Sequence, residues 1–135
     1  MLSLKDIADY ISSLGIVDKD SIWIGKLQDK VDKSIGVYPL KRSGVPRVPI
    51  GGMKSTDYDT KQISILIHWN RSVLEAENVA NTLFHLIMDT RNVMINEQNI
   101  LFIQLLVPEP VQVGTDDYGI YEYVIEAEVF YEKKG

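Results

Sequence analysis

The alternation of apolar and polar residues predicts a half-buried β-strand over residues 62–69. One side of this strand carries Ile63, Ile65, Ile67 and Trp69, and the other carries Gln62, Ser64, Leu66 and His68. Apolar residues then recur at steps of three and four from Ala76 to Ile87, which predicts a helix with one apolar stripe. Ser72 and Glu75 stand at capping-box spacing, so the helix is expected to begin there. We therefore expect this helix to pack across one face of a sheet.

The N-terminal part of the chain predicts a short helix followed by two strands. Ser3 is in position to cap the helix, and Gly15 is in position to end it. Residues 21–27 and 34–40 have the composition of strands and are separated by a charged turn. Pro39 cannot donate a hydrogen bond to a neighbouring strand, so the second strand is expected at a sheet edge or to end there.

A long irregular loop is predicted over residues 43–59, because prolines and glycines interrupt any regular pattern there. The loop also contains Val45, Val48, Ile50 and Met53, which are apolar residues that a solvated linker would avoid. We favour a loop that becomes ordered against a partner subunit. The alternative is an arm folded over its own core.

The C-terminal part predicts a hairpin over residues 92–95 and 100–107, followed by a long strand over residues 120–132. One side of the long strand is apolar and aromatic, and the other is dominated by Glu122, Glu126, Glu128 and Glu132. The acidic side is expected to face water or a basic partner, because burying an unpaired carboxylate is costly.

Together these patterns predict one α+β domain over residues 1–135. Its sheet is expected to be mixed or antiparallel, with about five to six strands and two helices packed on one face. The long Pro/Gly loop over residues 43–59 is expected to be part of this domain.

The net charge of −5 is unevenly distributed along the chain. Residues 1–108 carry 12 acidic and 12 basic side chains, whereas residues 109–135 carry seven acidic and two basic ones. Residues 41–61 have the opposite bias, with five basic and two acidic side chains. A nucleic-acid-binding protein is expected to have a dominant basic face, so this distribution argues against sequence-specific nucleic-acid binding.

The composition excludes several classes of protein. The chain has no cysteine, which excludes disulfide scaffolds, thiolate zinc sites and cysteine nucleophiles. No apolar run approaches the roughly 20 residues of a membrane span, and the N-terminus lacks the layout of a signal peptide. We therefore expect a protein that is made and used in soluble form, without a membrane partner.

No motif predicts a catalytic, cofactor-binding or metal-binding site. Residues 51–54 lack the glycine spacing of a phosphate-binding loop. His68 and His85 have no second ligand at metal spacing, which favours packing or surface roles. Residues 116–117 do not match the ligand steps of a calcium loop, which favours a solvated turn.

Four short motifs, in the order of elements described above, resemble the minor capsid proteins of tailed bacteriophages and prophages. They are Lys41-Arg42-Ser43-Gly44, Ile67-His68-Trp69-Asn70, Leu105-Leu106-Val107-Pro108-Glu109-Pro110, and Val113-Gly114-Thr115-Asp116-Asp117 before a Tyr-Glu-Tyr strand. The chain is also similar, over nearly its whole length, to the tail terminator and head-tail joining proteins of long-tailed phages.

The resemblance implies a structural virion protein, made in the bacterial host cytoplasm, rather than an enzyme. It implies a ring, often hexameric, that caps the tail tube at its head-proximal end. The implied partners are other copies of the chain, the tail tube protein and a head-completion or connector protein, and no cofactor is implied.

A ring would give the uneven charge a role, because cyclic assembly joins one patch of a subunit to a different patch of the next. We hypothesise that the basic loop of one subunit contacts the acidic strand of its neighbour. The interface residues in this hypothesis are Lys41, Arg42, Arg47, Val48, Ile50 and Lys54 from the loop, and Glu122, Glu126 and Glu128 from the strand.

Three alternatives for the acidic strand and for the function are also compatible with the sequence. The acidic strand could instead line the ring lumen, where it would repel DNA phosphates and let the genome pass. The protein could be a binding or adaptor module that stays monomeric until a partner orders residues 43–59. An enzyme ranks last, because the motif spacing assembles no nucleophile, base and orienting group.

Overall fold

The computed structural model describes residues 1–25, 32–40 and 57–133. Within these ranges the chain forms two α-helices, α1 and α2, and seven strands, β1 to β7, which confirms the predicted α+β class. In chain order the elements are α1 (Leu4–Ser13), a 3-10 turn (Lys19–Ser21), β1 (Ile22–Ile24), β2 (Ser34–Pro39), β3 (Tyr58–His68), α2 (Val73–Met88), β4 (Arg91–Ile95), β5 (Gln98–Leu105), β6 (Val111–Thr115) and β7 (Tyr121–Glu132).

The described strands form one mixed sheet in the order β1-β2-β3-β7-β5-β4, with β6 also paired to β7. The longest ladder joins β3 and β7, which run antiparallel from Tyr58 opposite Glu132 to His68 opposite Glu122. On its other side, β7 pairs with β6 near its start and with β5 near its end. The two longest strands therefore form the centre of the sheet.

Side-chain caps define where both helices begin. At α1 the hydroxyl of Ser3 accepts from the Asp6 amide at 3.1 Å, and the Asp6 carboxylate accepts from the Ser3 amide at 2.9 Å. At α2 the hydroxyl of Ser72 accepts from the Glu75 amide at 3.3 Å, as predicted. The Ser72 amide, however, donates to the side chain of Asn70, whose amide group in turn donates to the Glu75 carboxylate at 2.9 Å. The side chain of Asn70 thus accepts the hydrogen bond from the Ser72 amide that the capping-box prediction assigned to Glu75.

The end of α2 is tied to both β4 and α1. Arg91 donates to the carbonyl oxygens of Met88 and Thr90 at 3.0 and 2.7 Å, so its charge lies at the negative end of the helix. The Thr90 hydroxyl is also hydrogen-bonded to the hydroxyl of Tyr10 in α1. Burial of this contact raises the pKa of Tyr10. These bonds fix the two helices relative to each other.

Both helices pack on the same face of the sheet. The alternation predicted for β3 is confirmed, because Ile63, Ile65 and Ile67 are each at most 2% exposed. They form one core with apolar residues of both helices, which pack over them, and of β7, which lies beside them in the sheet. These residues are Ile7, Ala8, Tyr10 and Ile11 from α1, Ala76, Ala80, Leu83, Phe84 and Ile87 from α2, and Tyr123, Ile125, Ala127, Val129 and Tyr131 from β7. No helix in the described ranges is long and apolar enough to cross a bilayer.

The sheet differs from the sequence prediction in two places. The strand β6 (Val111–Thr115) was not predicted, because Gly114 and the preceding prolines obscure its alternation. β3 begins at Tyr58, so the last two residues of the predicted 43–59 loop belong to a strand. The parallel pairing of β1 with β2 makes the sheet mixed, which is one of the two predicted forms. Residues 43–56 of the predicted loop lie outside the described residues.

Candidate subunit interface on the outer sheet face

The face of the sheet that points away from the two helices is called the outer face. It carries every second residue of β3 and β7, and the register places Gln62 opposite Glu128, Ser64 opposite Glu126 and His68 opposite Glu122. On β3, β5 and β7, the outer-face positions include Glu122, Glu126, Glu128 and Glu132 and no lysine or arginine. This part of the outer face is therefore strongly acidic.

Glu128 is a buried carboxylate, only 2% exposed. Its Oε2 accepts a hydrogen bond from the side-chain amide of Gln62 at 3.3 Å, and Gln104 of β5 stands opposite it on the other side. Glu128 therefore does not face water, and the expectation for the acidic side of β7 is corrected in that respect at this residue. The neutral side-chain amide of Gln62 on the flanking strand supplies a hydrogen-bond donor to the buried carboxylate.

His68 forms a second buried polar group at the opposite end of the outer face. The side chain is fully buried, and Nδ1 lies 2.9 Å from Oε2 of Glu122. Because an ionised carboxylate only accepts, Nδ1 carries the proton in this hydrogen bond. The other ring nitrogen, Nε2, lies 3.6 Å from Oδ2 of Asp116. The imidazole thus ties the end of β3 to the start of β7 and lies beside the turn that precedes β7.

The turn before β7 is organised by Asp116. Its Oδ1 accepts from the backbone amides of Tyr118 and Ile120 at 2.9 and 3.0 Å, and its side chain is 5% exposed. The prediction of a solvated turn is therefore wrong for Asp116, whose carboxylate is structural. Sequence reasoning missed the contact with His68, because 48 positions separate the two residues and only the β3–β7 register brings them together.

The buried polar groups are closed off from solvent. His68 has no exposed surface, so its ring cannot reach a substrate without local unfolding. Among the described residues, no group of three or more His, Asp or Glu side chains is arranged to hold a metal ion. The chemistry of this face is therefore hydrogen bonding and charge, and it fits a binding surface better than a catalytic one.

The structure places three of the nine predicted interface residues. Glu122, Glu126 and Glu128 lie on one face of one strand, as the alternation predicted, but their environments differ. Glu122 is paired with His68, Glu128 is buried, and Glu126 is half-buried opposite Ser64. The six loop residues, Lys41, Arg42, Arg47, Val48, Ile50 and Lys54, lie outside the described residues.

Comparison with known families assigns the chain to a structural class. A family model described as bacteriophage tail terminator protein matches residues 10–133, which is most of the chain. The chain belongs to this family, which confirms the resemblance found in the sequence. It is a structural protein of bacteriophage tails. A search of curated proteins found no match.

Proposed function

We propose that copies of this chain close into a ring that caps the tail tube and presents a docking surface to the head side of the virion. The family membership supports a position at the end of the tail. The main support for ring assembly is the separation of basic and acidic side chains into two different regions of one chain. Residues 41–56 contain four basic and no acidic side chains, whereas the outer face of β3, β5 and β7 contains four glutamates and no lysine or arginine.

This separation suits a heterologous interface, in which each subunit gives its basic segment to one neighbour and its acidic face to the other. Contacts of this kind set register and encounter rate more than affinity. Of the three glutamates of the hypothesis, Glu126 is the one most suited to meet a neighbour's cation. Glu128 is buried, and Glu122 already pairs with His68.

The test is reversal of the charge at Glu126. Glu126→Lys is expected to lower the yield of rings, and Arg47→Glu in the same chain is expected to restore it. Glu109→Lys is the matched control, because Glu109 is exposed outside the strands and its change alters net charge equally. Molar mass from light scattering during size-exclusion chromatography gives the readout. An assembled mass that is the same for both lysine variants would contradict the proposed interface.

The partners of the proposed ring are the tail tube protein on one rim and a head-completion or connector protein on the other. DNA would pass through the ring without sequence-specific contacts, because the net charge of the chain is −5 and does not attract phosphates. Negative-stain images of purified tail tubes with added protein are expected to show capped ends. Tubes whose ends are unchanged at saturating protein would contradict the capping role.

A further inference from the structure

Three aromatic side chains form a contiguous patch on the outer face, across β3, β7 and β5. The aromatic patch consists of Tyr58, Phe130 and Phe102. The rings of Phe102 and Phe130 are stacked with centroids 4.4 Å apart, and the ring of Tyr58 lies 5.7 Å from that of Phe130 on the other side. Tyr58 is 43% exposed and Phe102 is 38% exposed. Such exposed aromatic clusters are typical of binding surfaces.

A β-bulge places Phe102 in this patch. Ile100 pairs with Tyr131 and Phe102 pairs with Phe130, so β5 uses one more residue than β7 over this step. Ile100 and Ile103 are both buried in the core. In a regular strand Phe102 would point the same way as Ile100, because side chains alternate. The extra residue, Leu101, turns the Phe102 ring outward, which is the kind of redirection that bulges provide.

The patch is bordered by negative charge. Glu132 follows Phe130 on the outer face of β7 and stands opposite Tyr58 in the register. Its carboxylate accepts from the side-chain amide of Asn99 at 3.0 Å and remains exposed. On the other side of Phe130 lies buried Glu128, and then Glu126. Aromatic rings beside carboxylates suit a ligand that is both apolar and cationic.

The chain itself contains a segment with this chemistry. Residues 45–50 read Val-Pro-Arg-Val-Pro-Ile, with two prolines three positions apart and an arginine between them. Proline-rich segments with this spacing bind aromatic-lined surfaces in the polyproline II conformation, where positions i and i+3 lie on the same edge about 9 Å apart. Three adjacent strands span about 10 Å, so two proline rings match the width of the aromatic patch.

We propose that the aromatic patch of one subunit binds the segment Pro46-Arg47-Val48-Pro49 of a neighbouring copy. Pro46 and Pro49 pack on the rings, and the guanidinium of Arg47 lies toward Glu126, on the side of the patch away from Glu132. The inference rests on the proposed ring and names the contact between its neighbouring subunits. The occupant is a second copy because a heterologous ring brings the basic segment of one subunit to the acidic face of the next, where the charges are complementary.

The absence of cysteine from the chain allows a direct test by cross-linking. The double variant Gln104→Cys, Ile50→Cys keeps Phe102 and both prolines, because Gln104 is exposed beside the patch on β5 and Ile50 follows Pro49. It is treated with a short bismaleimide at concentrations where the wild type is assembled, and a ladder of dimers, trimers and larger species is expected in denaturing gels. The control pair Tyr118→Cys, Ile50→Cys uses an exposed aromatic at the other end of β7 and is expected to give far less ladder.

A second experiment does not depend on cysteine chemistry. Phe102→Ala disrupts the aromatic patch, and the double variant Pro46→Ala, Pro49→Ala removes the prolines that bind it. Each of these two variants is expected to associate at least about tenfold more weakly than the wild type, as for a truncated hot spot. Mixing the two variants leaves one intact patch and one intact segment per pair. The mixture is therefore expected to form dimers containing one copy of each variant, whereas Tyr118→Ala is expected to assemble like the wild type.

The outcomes separate this inference from the proposed function. A cross-linked product at monomer mass only, with no ladder, would show the segment on its own subunit and overturn the inference. Rings in negative stain without a ladder from cysteines at positions 104 and 50 would also overturn it while leaving the ring intact. A protein that stays monomeric at every concentration and with tail tubes would overturn both.

Discussion

The two faces of the sheet are built from alternate residues of the same strands, yet they have different chemistry. Two helices cover the core face of β3 and β7, which is apolar at its centre, where Ile65 lies opposite Ile125. The outer face combines a buried glutamate, a buried histidine–carboxylate group and an exposed aromatic patch. The core face therefore supplies most of the apolar burial, and the outer face adds a partly exposed aromatic patch and glutamates that the packing of the core does not require.

The largest effect is expected on the core face. Ile125→Ala removes a fully buried side chain from the centre of the sheet and should lower the free energy of unfolding by about 2–5 kcal/mol. Urea denaturation followed by circular dichroism measures this loss. A cost below about 1 kcal/mol would mean that the core face is not tightly packed, since such a loss is typical of surface changes.

The next effect concerns the buried polar group at the end of β3. His68→Leu leaves the Glu122 carboxylate without its 2.9 Å partner and should destabilise the fold by about 1–3 kcal/mol. Glu122→Gln is the matched control, because its side-chain carbonyl can still accept from Nδ1 and the cost should be smaller. Equal losses for the two variants in thermal denaturation would contradict the structural role given to the hydrogen bond.

A smaller effect on stability is expected at the aromatic patch. Phe102→Ala removes a stacked but partly exposed ring, and the expected cost is at most about 1.5 kcal/mol, the usual value of an aromatic pair beyond its buried area. Association between subunits should nevertheless fall. If urea denaturation instead gives a loss as large as that of Ile125→Ala, the patch belongs to the folding core and its binding role fails.

The smallest effect on stability is expected at Glu126. Glu126→Lys should change the free energy of unfolding by no more than about 0.5 kcal/mol, because the residue is half-buried and lies outside the core face. Assembly should be impaired in the same variant. Urea denaturation and molar mass measured on one preparation would separate folding stability from assembly. If Glu126→Lys lowers the free energy of unfolding as well as the assembled mass, the outer face would not be distinct from the core face.

The alternating pattern of Ile63, Ile65 and Ile67 was sufficient to predict which side of β3 is buried, because successive side chains of a strand point to opposite faces of the sheet. The Ser3 and Ser72 caps were predictable for a similar reason, since their bonds span three residues. The contact of His68 with Glu122 was not, because it depends on the register of strands 54 positions apart.

The bulge at Leu101 escaped prediction because a single extra residue leaves no pattern in an apolar run such as Ile100 to Ile103. The buried state of Glu128 escaped it too, because glutamate is expected at the surface unless its partners on neighbouring strands are known. The sequence was therefore sufficient to predict that β7 has one acidic side. Which of its glutamates are buried or hydrogen-bonded depends on the residues that the neighbouring strands place opposite them.

The central claim is that the outer sheet face becomes covered when copies of the chain assemble. Single-cysteine variants Gln104→Cys and Glu109→Cys, in a chain with no other cysteine, allow maleimide labelling rates to be compared at dilute and assembling concentrations. Gln104 is exposed on the outer face, and its replacement leaves the interface glutamates in place. We expect labelling at position 104 to slow in proportion to the assembled fraction, while labelling at position 109 does not change. Equal rates at position 104 in the dilute and assembled protein would contradict the claim.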